Sequence, residues 1–348
     1  MARVAIVGGG SVSQLHAQAI RLVPEAELLG FVGDAGAQMR ATEFSTQQWP
    51  SLEAAAHAGA DVAVICTPTG THAEIGTRAA GLGMNILVEK AMDTSLAAAR
   101  SLVAAAEDTG VVLGVVSQGR FEPPFEELLA AVESGRLGVP TLASASRKCW
   151  RDRQYYRGWH GTHAMDGGGA MINQGIHKVD QLCRLMGRAR RVTGWTRTLA
   201  HSIEVEDTAI ALVEFENGAV GTIEATTAFY SAGATPTEQT TVDTLQLSGD
   251  AGSAVISKGV LSTSWSGVSA PSPAVSHGAR LDLFRRQHED FGRALAEGRA
   301  PRVTGQEGLN ALELVLAVYE SARTGRTIEL DDWAEAPRLD FSQGSPHR

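Results

Sequence analysis

The 348-residue chain has only three cysteines, Cys66, Cys149 and Cys183. They are far apart, odd in number and without a Cys-x-x-Cys pair. This excludes a disulfide framework or a zinc knuckle as the basis of the fold and fits a reducing cytoplasm. Basic charge is also in deficit: 30 Lys and Arg face 39 Asp and Glu, for a net charge of -9. No basic face is therefore on offer to nucleic-acid phosphates. No apolar run reaches the length of a membrane span, and the opening MARVAIVGGG has no charged segment, apolar core and cleavage site in succession. The expectation is a cytoplasmic protein with no export signal, membrane anchor or nucleic-acid partner. One basic cluster stands out, RKCWRDRQYYR at 147–157; it suits an anionic group on a substrate or, more plainly, a solvated loop.

What is present is apolar. With 43% hydrophobic and 20% charged residues there is ample material to bury, and the length exceeds one ordinary core, so two domains are expected. Through the first third, the runs RVAIV, LLGFV, DVAVIC, MNILVE and VVLGVV alternate with segments of helical apolar spacing. That alternation marks β-α-β units around a buried parallel sheet. One intervening helix is explicit: Thr94 is its expected cap, Leu96, Ala99, Leu102, Val103 and Ala106 its stripe, and Gly110 its stop. From residue 120 the rhythm changes. EPPFEELLAAVESG reads as a helix with Pro124 in its first turn and Gly135 at its end. DTAIALVEFENGAVGTIEATTAFY reads as two strands joined at Asn217-Gly218 by a two-residue type I′ turn. The runs RVTGWTRTL, DTLQLSG and SAVIS extend a largely antiparallel sheet, and helices are expected at 281–297 and 305–323. A long loop is expected at 267–278 and a loose tail at 336–348.

VAIVGGGSVSQLH follows the first strand and opens the first helix, giving Gly8-x-Gly10-x-x-Ser13. In that setting Gly8 allows a tight turn and Gly10 lets backbone approach a pyrophosphate. The helix start at Ser11 and Val12 stabilises its negative charge, and Ser13 is small enough to replace a third glycine. Asp34 closes the second strand where an acidic residue takes the adenosine ribose hydroxyls. It is followed by Ala35 and Gly36 rather than a base, so NAD is expected over NADP. Gly8, Asp34, Thr67, Glu89, Lys90 and Gln118 all fall just past the ends of successive strands, the edge along which open α/β sheets bind ligands. Thr69 and His72 lie in the loop after one of these strands and join the cofactor candidates, although packing or a helix start also accounts for His72 and for His16. Lys90, ending a buried strand beside a nicotinamide, is suited to exchange a proton; a lysine snorkelling from a strand end is the plainer alternative.

In INQGIHKVD, 172–180, Asn173, His177 and Asp180 are spaced four and three apart and would share one face of a helix. Alone, the stretch leaves His177 open between an acid/base, a metal ligand and a core histidine. His160-x-x-His163 with Cys149 or His177 is the only metal constellation to weigh, but it sits in a glycine-rich loop without a carboxylate, so no metal is expected. Tyr156 and Trp159 are candidates to stack on a sugar or ring, with burial as the commoner explanation.

Six segments, taken in order, resemble the glucose-fructose oxidoreductase, inositol dehydrogenase and MocA-like family. They are VAIVGGGSVSQLHA, CTPTGTHAEI, ILVEKAMD, RFEPPFEELLAAVESGRLGVP, GGGAMINQGIHKVDQLCRLMG and VEDTAIALVEFENGAVGTIE, covering roughly residues 3–230 in collinear order. The resemblance implies an α/β architecture. A Rossmann doubly wound parallel sheet would occupy 1–119, and an α+β substrate-binding and oligomerisation domain with a large, mostly antiparallel open sheet would occupy 120–335. It maps the family's lysine onto Lys90 and its histidine onto His177. It therefore implies a secondary alcohol or ketone of a sugar, sugar derivative or cyclitol exchanging a hydride with NAD. Two positions depart from the commonest pattern: Ala91 stands where proline usually follows the lysine, and Asn173 where many members have aspartate. Whether the Lys90–Ala91 bond is cis is not decided by the sequence.

The expected roles are His177 as the base for the hydroxyl proton, Lys90 as the group that holds and polarises the oxygen, and Asn173 as a neighbour of His177 or of a substrate hydroxyl. Tyr156, Trp159, Lys90, Asn173 and His177 are the substrate candidates. Ala209, Ala211, Val213 and Phe215 on one side of a strand, and Ile210 and Leu212 on the other, give two apolar faces. A homodimer or homotetramer through the second-domain sheet is therefore expected. The rival readings are a non-catalytic NAD-binding sensor and NAD-assisted glycoside chemistry.

Overall fold

The computed structural model describes residues 1–230, 241–267, 275–276, 279–331 and 333. Of the expected loop at 267–278 only residues 267, 275 and 276 are described, and Val275–Ser276 form a short strand rather than loop; the expected tail at 336–348 lies outside the described residues. The chain forms two compact units, Met1–Phe121 with Gly278–Leu309, and Glu122–His277 with Asn310–Arg348.

The first unit is built on strands β1 (Ala2–Val7), β2 (Ala26–Val32), β3 (Gln47–Trp49), β4 (Val62–Ile65), β5 (Asn85–Val88) and β6 (Leu113–Val115). They lie in the order β3-β2-β1-β4-β5-β6, and every pairing is parallel. A parallel sheet is covered on both faces, so its strands are apolar throughout rather than alternating. Val4–Val7 and Val62–Ile65 are buried without interruption. Helices α1 (Ser11–Ile20), α2 (Ala35–Glu43), α3 (Leu52–His57), α4 (His72–Gly81) and α5 (Leu96–Thr109) make the crossovers. The cap of α5 is Ser95, one residue beyond the expected Thr94: its hydroxyl accepts from Ala98 N–H at 3.3 Å, while Asp93 takes Ser95 N–H at 3.0 Å. Gly110 ends that helix in the left-handed region, φ 71°.

The second unit begins with α6 (Pro123–Glu133) and β7 (Pro140–Lys148). A π-helical turn, Ala170–Gly175, runs directly into α7 (Ile176–Met186). Strands β8 (Ala189–Arg197), β9 (Thr208–Phe215), β10 (Val220–Thr226), β11 (Val242–Gly249), β12 (Gly252–Ser257), β13 (Val260–Trp265), β14 (Val275–Ser276) and β15 (Ile328–Glu329) follow. The sheet order is β14-β13-β12-β11-β7-β10-β9-β8-β15. It is antiparallel except where β7 pairs with β10. Residues 209, 211, 213 and 215 of β9 are buried, while Ile210 and Leu212 face out.

The β9–β10 connection differs from the expected two-residue turn. Phe215 N–H bonds to Ala219 O and Gly218 N–H to Phe215 O, both at 2.9 Å, and only Gly218 of the loop has positive φ, at 85°. A type I′ turn needs positive φ at both central residues. Asn217 instead spends its side chain on fixing the loop, donating to Met186 O at 2.9 Å and accepting from Ala219 N–H at 3.0 Å. A three-residue loop with glycine at the left-handed position results.

Helix α8 (Arg280–Glu297) returns to the first unit, where Phe284 and Phe291 join Ile6, Ile20 and Phe31 in one core. The segment 279–309, read from sequence as part of the second domain, thus packs with the first. Helix α9 (Gly305–Thr324) comes last. No described helix is long and apolar enough to cross a membrane.

Candidate functional site

Because all six strands of the first sheet run the same way, their carboxyl ends share one edge. Gly8 follows β1, Asp34 β2, Thr67 β4, Glu89 and Lys90 β5, and Gln118 β6. Gly8 has φ 104°, and a Cβ there would meet Cys66 O at 2.8 Å. Gly10 caps α1 without a side-chain bond, and a Cβ on it would meet nothing within 4 Å. The α1 start, with Ser11 exposed and Val12 half-buried, therefore opens onto free space as an anion cradle requires. Ser13 is fully buried and donates to Gly10 O at 2.6 Å. Gly9, unexplained by the fingerprint, is a close-packing position: its Cβ would lie 2.0 Å from Gly36 C. Asp34 is exposed and also caps α2, accepting from Gly36 N–H at 3.0 Å. At the far end, Gln118 Oε1 is buried and has no hydrogen-bond partner among the described residues, an acceptor awaiting a donor. These features fit a dinucleotide laid along the edge.

The loop after β4 is tied to the segment after β5. Thr69 is buried, Thr67 accepts from the Thr71 hydroxyl at 2.8 Å, and His72, also buried, has its ring nitrogens 2.8 Å from Thr67 O and from Ala91 O. Burial lowers the His72 pKa and keeps the ring neutral, so it donates to one carbonyl at a time. The Lys90–Ala91 peptide is cis.

Beneath Lys90 lies a buried polar chain that spacing does not reveal. Glu89 Oε2 accepts from Lys90 N–H at 3.1 Å, His16 Nε2 lies 3.1 Å from Glu89 Oε1, and His16 Nδ1 lies 2.8 Å from His288 Nε2. Burial pushes His288 well below its ordinary value, and neighbouring His16 adds to it. Burial alone would raise Glu89, but the His16 hydrogen bond and the Lys90 charge pull it below the ordinary carboxylate value. His16 therefore bridges the two, its Nε2–H donating to the Glu89 carboxylate and its Nδ1 bonded to the neutral His288 ring.

In the second unit, Asn173 sits in the π-helical turn and His177 in the first turn of α7, both half-buried. The shared face expected from an unbroken α-helix is thus interrupted at the junction, because a π turn carries more residues than an α turn. Asn173 Nδ2 donates to Asp166 Oδ1 at 2.7 Å, and Asn173 Oδ1 accepts from Tyr155 O–H at 2.9 Å and from Gln174 Nε2 at 2.7 Å. Asp166 also accepts from Gly161 N–H at 2.7 Å and lies 3.4 Å from His160 Nδ1. A carboxylate does therefore partner His160, contrary to the expectation from spacing. Trp159 and Tyr155 pack on the His160 ring, with centroids at 3.8 and 4.4 Å. Tyr156 O–H donates to Thr227 Oγ1 at 2.8 Å. Arg151, from the basic cluster, lies over the Tyr155 ring and donates to Gln174 Oε1 at 3.1 Å. Burial, with Asp166 nearby, pushes the Tyr155 phenol up to about 12. It is a neutral donor at working pH.

Sequence comparison gives the lineage of this sheet and its strand-end edge. The model of the oxidoreductase family with an NAD-binding Rossmann fold matches residues 2–117, and that of the GFO/IDH/MocA C-terminal domain matches residues 125–255. The chain belongs to the GFO/IDH/MocA oxidoreductase family. Among its relatives, D-apiose dehydrogenase of Paraburkholderia graminis is 28% identical over 353 residues, 96% of this chain and 92% of that protein. The scyllo-inositol 2-dehydrogenase (NAD(+)) of Bacillus subtilis is 29% identical over 241 residues, 64% of this chain and 66% of that protein. The crystal structure of the WlbA dehydrogenase from Bordetella pertussis in complex with NADH and UDP-GlcNAcA is similar over 94% of this chain and 98% of that one, with a TM-score of 0.80 and 28% identity.

Proposed function

We propose that this GFO/IDH/MocA member is an NAD-dependent dehydrogenase or reductase acting on a secondary alcohol or ketone of a sugar, sugar derivative or cyclitol. The observation that carries the reading is the placement of Glu89 and Lys90 on the same strand-end edge as the glycine cradle and Asp34. Relatives named for inositol and apiose dehydrogenation support the substrate class. Gly8, Gly10, Ser11, Val12, Asp34, Thr67, Thr69, His72, Glu89, Lys90 and Gln118 hold the dinucleotide. Bound NAD supplies the two-electron acceptor. Lys90 holds and polarises the reacting oxygen, and His177 takes the hydroxyl proton during oxidation. Asn173, Tyr156 and Trp159 contact the polyhydroxy substrate.

The reading extends to assembly. Leu142, Trp195, Ile210, Leu212 and Val220 share the outward face of the large sheet and are 43% to 52% exposed. This supports a homodimer or homotetramer closed through that face, which we propose acts in the cytoplasm. Sedimentation of the protein alone tests it, with a monomer as the contrary result.

Incubation with NAD and a panel of sugars, sugar acids, sugar nucleotides and inositols, followed by nicotinamide absorbance, tests the main proposal. Steady NADH formation with one class supports it. No turnover in either direction, with NAD still bound, would favour a sensor; turnover of a glycoside without net NADH would favour redox-assisted glycoside chemistry.

A further inference from the structure

Glu206, 7% exposed and between β8 and β9, has no part in the roles given above. It collects three successive backbone donors. Its Oε2 accepts from Gly169 N–H at 2.8 Å, its carbonyl from Ala170 N–H at 2.9 Å and its Oε1 from Met171 N–H at 2.8 Å. The next donor, Ile172 N–H, goes to the Tyr319 hydroxyl at 3.0 Å, and Tyr319 O–H donates to Glu206 Oε1 at 2.8 Å. These are the amides that a helix leaves unsatisfied at its start. Asn173 N–H then bonds to Gly169 O at 3.0 Å. The glycine run is explained by the same contact: a Cβ on Gly168 would lie 2.3 Å from the Tyr319 oxygen, and one on Gly169 would lie 1.8 Å from Glu206 O.

We propose that Glu206, seconded by Tyr319, is the positioning residue for the helix start that carries Asn173 and His177, and that protonating its carboxylate loosens that start. The link to turnover rests on the dehydrogenase reading; the capping does not. Every group facing the carboxylate is a donor: two amides and a phenol. The anion satisfies all three, and the positive end of a helix favours it further. A carboxylic acid brings a hydrogen of its own into a ring of donors, and one existing bond must give way. Burial nevertheless favours the acid, raising the pKa to about 7 against the pull of Met171 N–H, Tyr319 and Gly169 N–H. The exchange between the two forms falls near neutrality. Tyr319, pushed well up by burial and then by Glu206, stays a neutral donor. The other nearby carboxylates are turned elsewhere. Asp207 takes the amides of Leu199, Ala200 and His201 at 2.9, 2.7 and 2.9 Å, Glu204 takes that of His163 at 3.1 Å, and Asp166 that of Gly161 at 2.7 Å.

Amide hydrogen exchange at residues 169–172, corrected for intrinsic pH dependence, tests the cap without substrate. Protection should fall as pH drops through neutrality. Tyr319→Phe, which removes one donor to the anion, should move that transition and the acid limb of kcat upward by about one pH unit. Glu206→Gln should leave protection low at every pH and lower kcat while NAD affinity, set in the first unit, stays unchanged. Protection that does not vary with pH in the native protein, or a Tyr319→Phe transition in the native position, overturns the proposal. Because the native protein and Tyr319→Phe decide it, poor folding of Glu206→Gln leaves the test intact. A protein inactive on every sugar but with the pH-dependent exchange would indict the dehydrogenase reading, not the cap.

Discussion

His16 Nδ1 and His288 Nε2 lie 2.8 Å apart, although 272 residues separate them in the chain. Both rings are buried in the first unit, and the bond fixes which nitrogen of His16 faces Glu89. A double-mutant cycle with His16→Leu and His288→Leu should therefore be non-additive. Each single change strands a buried nitrogen, at a cost of about 1–3 kcal/mol, whereas the double removes both. Urea unfolding reads the coupling, and additive losses would mean that the contact carries no energy.

The same histidine sets an acid sensitivity. Burial, with His16, depresses His288 well below its ordinary 6.5. A histidine depressed in the folded state stabilises the fold above 6.5, and that stability is lost as pH falls through the folded value. Glu206 works in the opposite sense in global unfolding, which exposes the carboxyl: its contribution there is full below 4.5 and is lost as pH rises through about 7, whereas the loosening proposed above is a local opening in which the carboxyl stays buried. Comparison with His288→Gln, which cannot titrate, isolates the first effect. The deficit of His288→Gln relative to the native protein should shrink as pH is lowered from above 6.5; a constant deficit would contradict the assignment.

Asp34 has two duties, so the usual alanine test would mislead. Removing its carboxylate also uncaps α2 at Gly36 N–H, costing about 0.5–2 kcal/mol. Asp34→Asn keeps a capping oxygen and discards the charge that repels a 2′-phosphate. Titration should show NAD binding more tightly than NADP in the native protein, and a relaxed ratio with little change in melting temperature in Asp34→Asn. A native preference for NADP would refute the role.

The first sheet was legible because a strand buried on both faces must be apolar throughout, as Val62–Ile65 are. Strand β7 was not, because it lies between β10 and β11 and presents only small inward residues, Ala143 and Ala145. Its partners supply the bulk. Asp166 and Glu206 were missed for another reason: each acts on Asn173 or its helix start from a loop or strand edge, at a separation with no period. His288 looked like one more residue of an amphipathic helix. Its partner His16 is 272 positions away, and sequence spacing says nothing at that range. The shared face of Asn173 and His177 assumed a single helical period, which the π turn breaks.

Lys90→Ala separates chemistry from binding. Its proposed role is on the reacting oxygen, and loss of a positioned proton-handling group lowers turnover by about 10² to 10⁴-fold. The cofactor cradle at Gly8 and Gly10 and the Asp34 carboxylate are untouched, so NAD affinity measured by calorimetry should fall far less than turnover. Collapse of NAD affinity with turnover preserved at saturating cofactor would make Lys90 a binding residue only.

Asn173 spans Asp166 and Tyr155, which changes what a carboxylate at this position does. Sequence alone suggests that Asn173→Asp would raise the His177 pKa, by about one unit for a close pair, and move the acid limb of the rate profile upward. In the structure that carboxylate would face Asp166 Oδ1, now 2.7 Å from Asn173 Nδ2. Two carboxylates so close share a proton instead of both ionising. The single variant should therefore lose stability and turnover without a clean shift. Adding Asp166→Asn exchanges the two groups. The hydrogen bond returns with its polarity reversed, Tyr155 O–H and Gln174 Nε2 still find an acceptor, and the amide oxygen at position 166 still receives Gly161 N–H. The double variant should regain most of the melting temperature and show the upward-shifted limb that the single variant hides. If it is no more stable than Asn173→Asp alone, the Asp166–Asn173 bond does not organise this part of the second unit.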